Sequence, residues 1–490
     1  MTDLLNALAE WGPFNALVVG DFMLDELLYG DAERLSPDAP VPVLRARRTE
    51  HRPGGAANVC LDLAAMMGRV SAVGLVGNDE AGRTLAGSLQ NQGVDATGLV
   101  TDADRPTTVK RSLIGLAQHR HPQKMFRVDF ESSDAPGERA RRALLTAFEE
   151  RLLDADVVCL EDYNKGVLTG GVGLELIRLA RAANKQIIVD PAPIDGYPAR
   201  YHGATAITPN RSEAERAIPG NGTPHTPDAL ARRLLETCAL DAVVLTLDKD
   251  GALLLERGSE PRSMPTIARQ VYDVTGAGDM VLAGLAAARA RGLGWADAVE
   301  LANAAAGLEV EVFGVQPMPI ERIHHAVLDQ RGALRGKLRT LEDVAVEVAA
   351  RRQTGQRIVF TNGCFDLLHA GHIRVLEEAR AQGDMLVVGL NTDESIRRLK
   401  GVGRPINTTQ DRGIVLGALR CVDAIVPFSD DTPVHLIDVL VPDVLVKGSD
   451  YREDEVVGAR AVREAGGRVH FVELVPGKST TSTIERLANP

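Results

Sequence analysis

Val271-Tyr-Asp-Val-Thr-Gly-Ala-Gly-Asp-Met280 runs directly into the apolar stretch Val281–Ala290. A glycine-rich turn therefore opens into a helix, with Asp279 near the helix start. The first backbone N–H groups of a helix have no partner within it, so those from Gly276 to Asp279 point at whatever lies in front. With the helix dipole they form a cradle for developing negative charge. A carboxylate beside such a cradle would repel a bound phosphate, which argues against simple phosphate binding. It suits a general base that takes a proton from a hydroxyl while Gly276, Ala277 and Gly278 steady a transferring phosphoryl group. A plain strand-to-helix turn would use the same residues, and this stretch alone leaves the two readings level.

At 490 residues the chain is too long for one ordinary core, and two or three domains are expected. Its net charge of −12, from 55 Lys+Arg against 67 Asp+Glu, argues against a duplex nucleic-acid binder. Nucleotides remain open, because they are held by local donors rather than by bulk charge. The five cysteines are scattered with no C-x-x-C pair, which fits reduced thiols better than a disulfide framework or a zinc site. No basic segment precedes an apolar core at the N-terminus, and no apolar run reaches membrane-spanning length. The expected location is the cytoplasm, with neither nucleic acid nor membrane as a partner.

Working outward, Ala16–Asp21 reads as a buried strand, with Asp21 and Asp25 at the C-terminal edge where α/β sheets hold ligands. Gly54 and Gly55 let the backbone approach a ligand closely before a helix over 56–67, and Asn58 offers both an acceptor and donors. Two β-rich pieces follow, 108–116 and 124–131, and then strands and helices alternate regularly from Glu138. Lys165 sits in a loop just past one strand end. In Thr208-Pro-Asn-Arg-Ser-Glu213, Asn210 and Glu213 read either as a helix cap with an acidic third residue or as ligand-organising groups on one helical face. Gln330–Thr340 is basic and poor in apolar residues, and reads as a linker before a new helix at 341–352.

Asp273-Val-Thr-Gly-Ala-Gly-Asp279 and Arg52-Pro-Gly-Gly-Ala-Ala-Asn-Val59 resemble the two signatures of the ribokinase-like carbohydrate kinases. Val274 and Met280 depart from the usual pattern without touching Asp279 or the glycines. The resemblance implies Asp279 as the base and a sugar site at Asp21, Gly54, Gly55, Asn58 and Lys110. The β-rich pieces resemble that family's lid, often used to dimerise, hence a homo-oligomer; Lys110 and Arg127 within them are candidates to hold a phosphate already on the sugar, while a solvated surface charge accounts for either one alone. ATP would lie at Asn210, Arg211, Ser212, Glu213 and Asn303, with Mg²⁺ organised by Glu213 through water; Mg²⁺ prefers few direct carboxylates and several waters.

Beyond the linker, Arg357-Ile-Val-Phe-Thr-Asn-Gly-Cys-Phe-Asp-Leu-Leu-His-Ala-Gly-His372 turns at Asn362-Gly363 and carries His369 and His372 around a helix start expected at Ile373. Paired imidazoles beside free N–H groups can stabilise a polyphosphate as pyrophosphate departs. A metal site is the weaker reading, since no third ligand stands at suitable spacing. The stretch closely resembles the H-x-G-H cytidylyltransferase-like nucleotidyltransferases. That resemblance implies nucleotide contacts from Asn362, Gly363, Phe365, Asp366, Asn391, Asp393, Lys400, Arg404 and Arg412, and from Ser479, Thr480 and Thr481. Cys364 reads as a small filler, because in-line attack needs no covalent intermediate.

The order of the two modules, with the shared runs VVGDxMLD, RLKGxxRP and LVKGSDY, resembles the bifunctional heptose enzymes of bacterial nucleotide-heptose synthesis. The fold class expected is α/β: a ribokinase-like three-layer domain with a small β lid over 1–328, a linker at 329–340, and a Rossmann-like nucleotidyltransferase domain over 341–490. The resemblance implies an ATP-dependent kinase for D-glycero-β-D-manno-heptose 7-phosphate and an adenylyltransferase for the 1-phosphate. Absence of a D-x-D-x-T motif implies a separate phosphatase between the steps. The alternatives are another sugar phosphate, CTP or GTP in place of ATP, or a scaffold built from a retired kinase; in a retired kinase Asp279 or its glycines should be lost, and they are present.

Overall fold

The computed structural model describes Leu4, Ala7, Leu8 and residues 10–116, 123–218, 225–266, 275–311, 315–330, 337–353, 355–401, 403–449 and 456–473. The chain forms two compact units, Trp11–Ile323 and Met1–Glu10 with His324–Pro490.

The first unit holds a sheet and a smaller lid sheet. Its strands are β1 (Phe14–Gly20), β2 (Phe22–Leu35), β3 (Pro42–Gly55), β4 (Gly68–Gly77), β5 (Asp95–Asp102), β6 (Thr108–Leu116), β7 (Gln123–Phe130), β8 (Val157–Glu161), β9 (Gln186–Asp190), β10 (Ala206–Ile207), β11 (Ala242–Thr246), β12 (Ala252–Glu256) and β13 (Arg262–Met264). The main sheet runs β13-β12-β11-β10-β9-β8-β1-β4-β5. It is parallel from β5 to β11, and only β12 and β13 are antiparallel. Strands such as Val157–Glu161 are buried along their whole length, as expected where helices cover both faces of a parallel sheet. Helix Val172–Ala182 shows how that cover is made: Val172, Leu176, Ile177 and Ala180 recur at helical spacing and are all buried.

The lid sheet, β3-β2-β6-β7, begins where the main sheet ends. Asp21 is the pivot, since β1 stops at Gly20 and β2 starts at Phe22. A side chain on Gly20 would place its Cβ 2.1 Å from the Glu161 carbonyl oxygen, so only glycine allows β1 and β8 to approach there. The lid has four strands, where sequence pattern shows only the β6 and β7 pieces. Charged residues such as Arg45, Arg47, Arg48 and Glu50 interrupt the alternation in β3, and its long pairing with β2 outweighs that weak local signal.

The second unit carries a parallel sheet of β14 (Ile358–Gly363), β15 (Met385–Asn391), β16 (Ala424–Phe428), β17 (Val444–Gly448) and β18 (Arg468–Val472), in the order β16-β15-β14-β17-β18. Alternate residues feed two apolar clusters, Ile358, Phe360 and Val387 on one face and Val359, Leu386 and Val388 on the other. The segment expected as linker is ordered at both ends. Helix Ile320–Gln330 runs into it, and Leu338 pairs with Ile425 of β16.

Candidate active sites

Helix Ala277–Ala290 is capped by Gly276 at φ 91°, a left-handed conformation that favours glycine. A Cβ there would also lie 2.6 Å from Glu309 Oε1. Asp279 in the first turn is only 4% exposed. Its Oδ2 accepts from Asn58 Nδ2 at 2.9 Å, and its Oδ1 from the Tyr163 hydroxyl at 2.7 Å. Burial raises its carboxyl to about 6, against the lowering effect of those hydrogen bonds and of Lys110. The group is therefore ionised at neutral pH yet basic enough to accept a proton.

Glu161 at the end of β8, Asp190 at the end of β9 and Asp279 bring carboxylate oxygens within 4.8 Å of one another. Burial first, and then the charge of Asp190 on Glu161 and of Glu213 on Asp190, push both well above the usual carboxylate range, and Glu161 Oε2 is buried without a hydrogen-bond partner. Hard oxygen donors in this arrangement fit a divalent cation such as Mg²⁺. Sequence reasoning missed Glu161, Asp190 and Tyr163. The available signal was an acid at the last residue of each of two consecutive buried strands.

The expected sugar-site residues gather around Asp279 and the base of the lid. Asp21 is 1% exposed, and its carboxylate accepts the backbone N–H groups of Tyr163, Lys165 and Val167 at 2.9, 2.8 and 3.3 Å. It pins the loop that presents Tyr163, which leaves Asp25 as the lid carboxylate near the base. Asp25 is paired in register with Lys110 on β6 and Arg52 on β3, and feels Lys110, Lys124, Arg127 and Arg52. Lys110 Nζ lies 4.7 Å from the centre of the Tyr163 ring. Lys165 is ion-paired with Glu131 at 2.7 Å. Gly54 lies beside the Asp25 side chain: a Cβ there would sit 2.9 Å from Asp25 Oδ2. Gly55, at φ 56°, caps helix Ala56–Ala65, which presents Asn58 to Asp279 rather than to open space.

The Asn210–Glu213 segment makes a complete capping box for helix Arg211–Ala217. Asn210 N–H donates to Glu213 Oε2 at 2.8 Å, Glu213 N–H donates to Asn210 Oδ1 at 3.0 Å, and Ser212 Oγ also donates to Asn210. Arg211 pairs with Glu215. The cap reading thus accounts for these side chains, although Glu213 is close enough to raise Asp190. Asn303 is buried and its Nδ2 donates to the Met264 carbonyl, fastening helix Trp295–Glu309 to β13. Residues 271–274 of the opening signature lie outside the described residues.

In the second unit helix Ala370–Arg380 starts three residues earlier than expected. His369 is its N-cap, and His372 lies in its first turn. Their rings stack at 3.9 Å with an interplanar angle of 18°, and the Phe365 ring meets His372 edge-on at 5.3 Å. Both Nδ1 atoms are buried without hydrogen-bond partners. Burial, then His369 and Lys400, push His372 down to about 4, so it is a neutral imidazole at physiological pH. Neither histidine joins a metal-compatible cluster among the described residues.

Arg412, Asp366 and Asn391, expected at the nucleotide, bond to groups within their own unit. Arg412 is 2% exposed. It donates to the carbonyls of Cys364 and Asn391 at 2.7 Å each, to Asn407 O at 3.0 Å, to Asp393 Oδ1 at 2.6 Å and to Thr409 Oγ1 at 3.0 Å. That uses the donors of the guanidinium and leaves none for a phosphate. Asp366 accepts from Arg404 Nε at 2.6 Å and from the N–H groups of Ile406 and Asn407, which hold its carboxyl below the usual range. Asn391 is buried against Ser395. Lys400 is the cation whose charge reaches His372, and the second terminal nitrogen of Arg404 is buried without a hydrogen-bond partner. Lys447 at the end of β17, not singled out from sequence, donates to Asn362 Oδ1 at 2.5 Å. Gly363 leaves room for the Phe365 ring, whose edge would lie 3.0 Å from a Cβ. Ser479, Thr480 and Thr481 fall outside the described residues.

Comparison with known proteins agrees with this division. Residues 14–322 match the model of the pfkB family carbohydrate kinases and residues 360–485 the cytidylyltransferase-like model. The fold of the first part is that of the ribokinase of Arabidopsis thaliana (TM-score 0.50, 19% identity, covering 64% of this chain and 98% of that one). It is equally that of phosphofructokinase-2 from Escherichia coli (TM-score 0.52, 18% identity, 65% and 99%). The chain is thus a pfkB-family carbohydrate kinase continued by a nucleotidyltransferase. Over 483 residues it is 45% identical to the bifunctional protein HldE of Geobacter sulfurreducens, covering 98% of this chain and 96% of that one. To the Pseudomonas aeruginosa protein of the same name it is 44% identical over 471 residues, 96% of each. It belongs to the family of bifunctional HldE proteins, and its two activities are the heptose phosphate kinase and the heptose phosphate adenylyltransferase that the order of motifs implies.

Proposed function

We propose that the first unit phosphorylates O1 of D-glycero-β-D-manno-heptose 7-phosphate with ATP, and that the second joins the resulting 1-phosphate, once freed of its 7-phosphate, to the adenylyl group of a second ATP. The observation that carries the first step is Asp279, clasped by Asn58 and Tyr163 in the first turn of a helix whose amides face the same space. Asp279 takes the proton of the O1 hydroxyl as the O1–Pγ bond forms and the bond from Pγ to the bridging oxygen breaks, releasing ADP. The amides of Gly276, Ala277 and Gly278 steady the equatorial oxygens in transit. Glu161 and Asp190, with Glu213 through water, would hold Mg²⁺, which lowers the charge on the ATP phosphates when bound. Lys110, Lys124, Arg127 and Arg52 face Asp25 on the lid, which supports a sugar bearing a phosphate at its far end.

In the second unit a phosphate oxygen of the heptose 1-phosphate attacks Pα of ATP, and the Pα–O bond to pyrophosphate breaks. His369 and His372 donate hydrogen bonds to the phosphates, with Lys400 and Arg404 as the cations. A separate phosphatase acts between the steps, and the enzyme works in the cytoplasm as a homo-oligomer; no helix among the described residues is long and apolar enough to cross a membrane. The domain limits 1–328, 329–340 and 341–490 belong to the same proposal.

The test is the mass of products from heptose 7-phosphate and ATP, with and without an added phosphatase. The bisphosphate alone is expected without it, and ADP-heptose only with it. ADP-heptose formed without phosphatase, or CTP outcompeting ATP in the second step, would overturn the corresponding part.

A further inference from the structure

The helix that carries Arg412 is itself held from behind by residues that precede the second sheet. Leu338 bridges to Ile425 of β16: Ile425 N–H donates to Lys337 O at 2.5 Å and Arg339 N–H to Ile425 O at 2.9 Å. Lys337 Nζ donates to the Leu419 carbonyl at 2.6 Å, just beyond helix Thr409–Gly417, where the helix dipole favours a cation. The Leu338 side chain lies directly over Gly413. A Cβ on Gly413 would be 2.8 Å and 2.9 Å from the two Leu338 methyl carbons, so the leucine fits only because the helix offers a glycine there. Arg339, next in line, is buried and paired with Glu347 at 2.5 Å, which anchors the segment to helix Leu341–Gln353.

Gly413 adjoins Arg412, and Arg412 ties the loop at Cys364 to the strand end at Asn391. Cys364 lies in the turn that leads to His369, and Asn391 ends the neighbouring strand β15. We propose that Lys337 and Leu338 are positioning residues for adenylyl transfer, seating helix Thr409–Gly417 so that Arg412 closes its bonds to both segments. The 2.7 Å bonds to Cys364 O and Asn391 O do not survive a displacement of about 1 Å. A misplacement of that size in a catalytic frame costs up to about a hundredfold in rate. This inference rests on the reading of the second unit as the ATP-using transferase.

The experiment uses the full chain and assays both reactions, so that the kinase step serves as the internal control for folding. Leu338→Ala should raise the KM for ATP in adenylyl transfer about tenfold, with a smaller fall in kcat and the kinase step unchanged. Leu338→Met, close in volume, should restore near-normal KM. Gly413→Ala, which drives a methyl into the leucine, should also raise KM, and adding Leu338→Ala to it should recover part of the loss. Arg412→Lys separates the two levels of argument. If Arg412→Lys impairs adenylyl transfer while Leu338→Ala changes KM less than twofold, the positioning role is wrong and the site reading stands. If neither substitution affects adenylyl transfer, the frame role of Arg412 fails as well. Equal loss of both activities in Leu338→Ala and Leu338→Met would mean a purely structural strap, and that too would overturn the proposal.

Discussion

At Asp279 one carboxylate is asked to be both ionised and basic, and its surroundings divide that task. Burial lifts it to about 6, while Tyr163 and Asn58 stabilise the anion. The kinase kcat/KM should therefore fall tenfold per pH unit below about 6, as the base becomes protonated. Tyr163→Phe removes a hydrogen bond that lowers the pKa, so the acid limb should move to higher pH, and a pH–rate series on the variant checks this. Asp279→Asn should abolish bisphosphate formation while adenylyl transfer from supplied 1-phosphate continues. Asp62 presents a different problem: it is fully buried, its carboxyl oxygens have no hydrogen-bond partner, and burial, Glu309 and Asp279 raise its carboxyl well above 3.8. The folded chain then keeps a proton that the unfolded chain releases above the ordinary aspartate range. Stability should fall as pH rises from about 4 through the raised value. Asp62→Asn should remove that slope and gain about 1–3 kcal/mol at pH 8, with little change at pH 4, as read from thermal unfolding at the two pH values.

At the scale of elements, the lid and the capped helices make separate contributions. One lid face carries Asp25 with Lys110, Arg52, Lys124 and Arg127, a concentration of positive charge in a chain of net charge −12. Arg127→Met should raise the KM for heptose 7-phosphate with little change in the KM for ATP, as steady-state kinetics on both substrates would read. Asn210→Ala removes a cap whose two hydrogen bonds are both made, and should cost about 1 kcal/mol of stability. The helix-opening glycines and the H-x-G-H pair were legible in sequence because spacing alone puts them at a helix start. Asp21, Asp366 and Arg412 were not. A charged residue at a strand end or in a basic loop looks the same on paper whether it faces a ligand or satisfies backbone groups. What decides is the count of N–H and C=O groups that converge on it, and those arrive from segments far away in sequence, such as 163–167 for Asp21 and 364, 391 and 407 for Arg412.

For the molecule as a whole, two catalytic machineries in separate compact units should respond to mutation independently. His369→Ala should lose adenylyl transfer and leave heptose 1,7-bisphosphate formation intact, mirroring Asp279→Asn; coupled losses in purified full-length protein would contradict this. Class, module order and both reactions could be inferred before any coordinate, because the DVTGAGD and H-x-G-H stretches are local, and a turn followed by a helix carries its own geometry wherever it occurs. Which acids surround the base, which charged side chains are spent on the backbone, and that Leu338 of the expected linker bridges to β16 were settled only on folding. Those properties belong to residues that meet across the sheet, where burial turns a solvated charge into one that must find a partner, and a linear pattern holds no record of who that partner is.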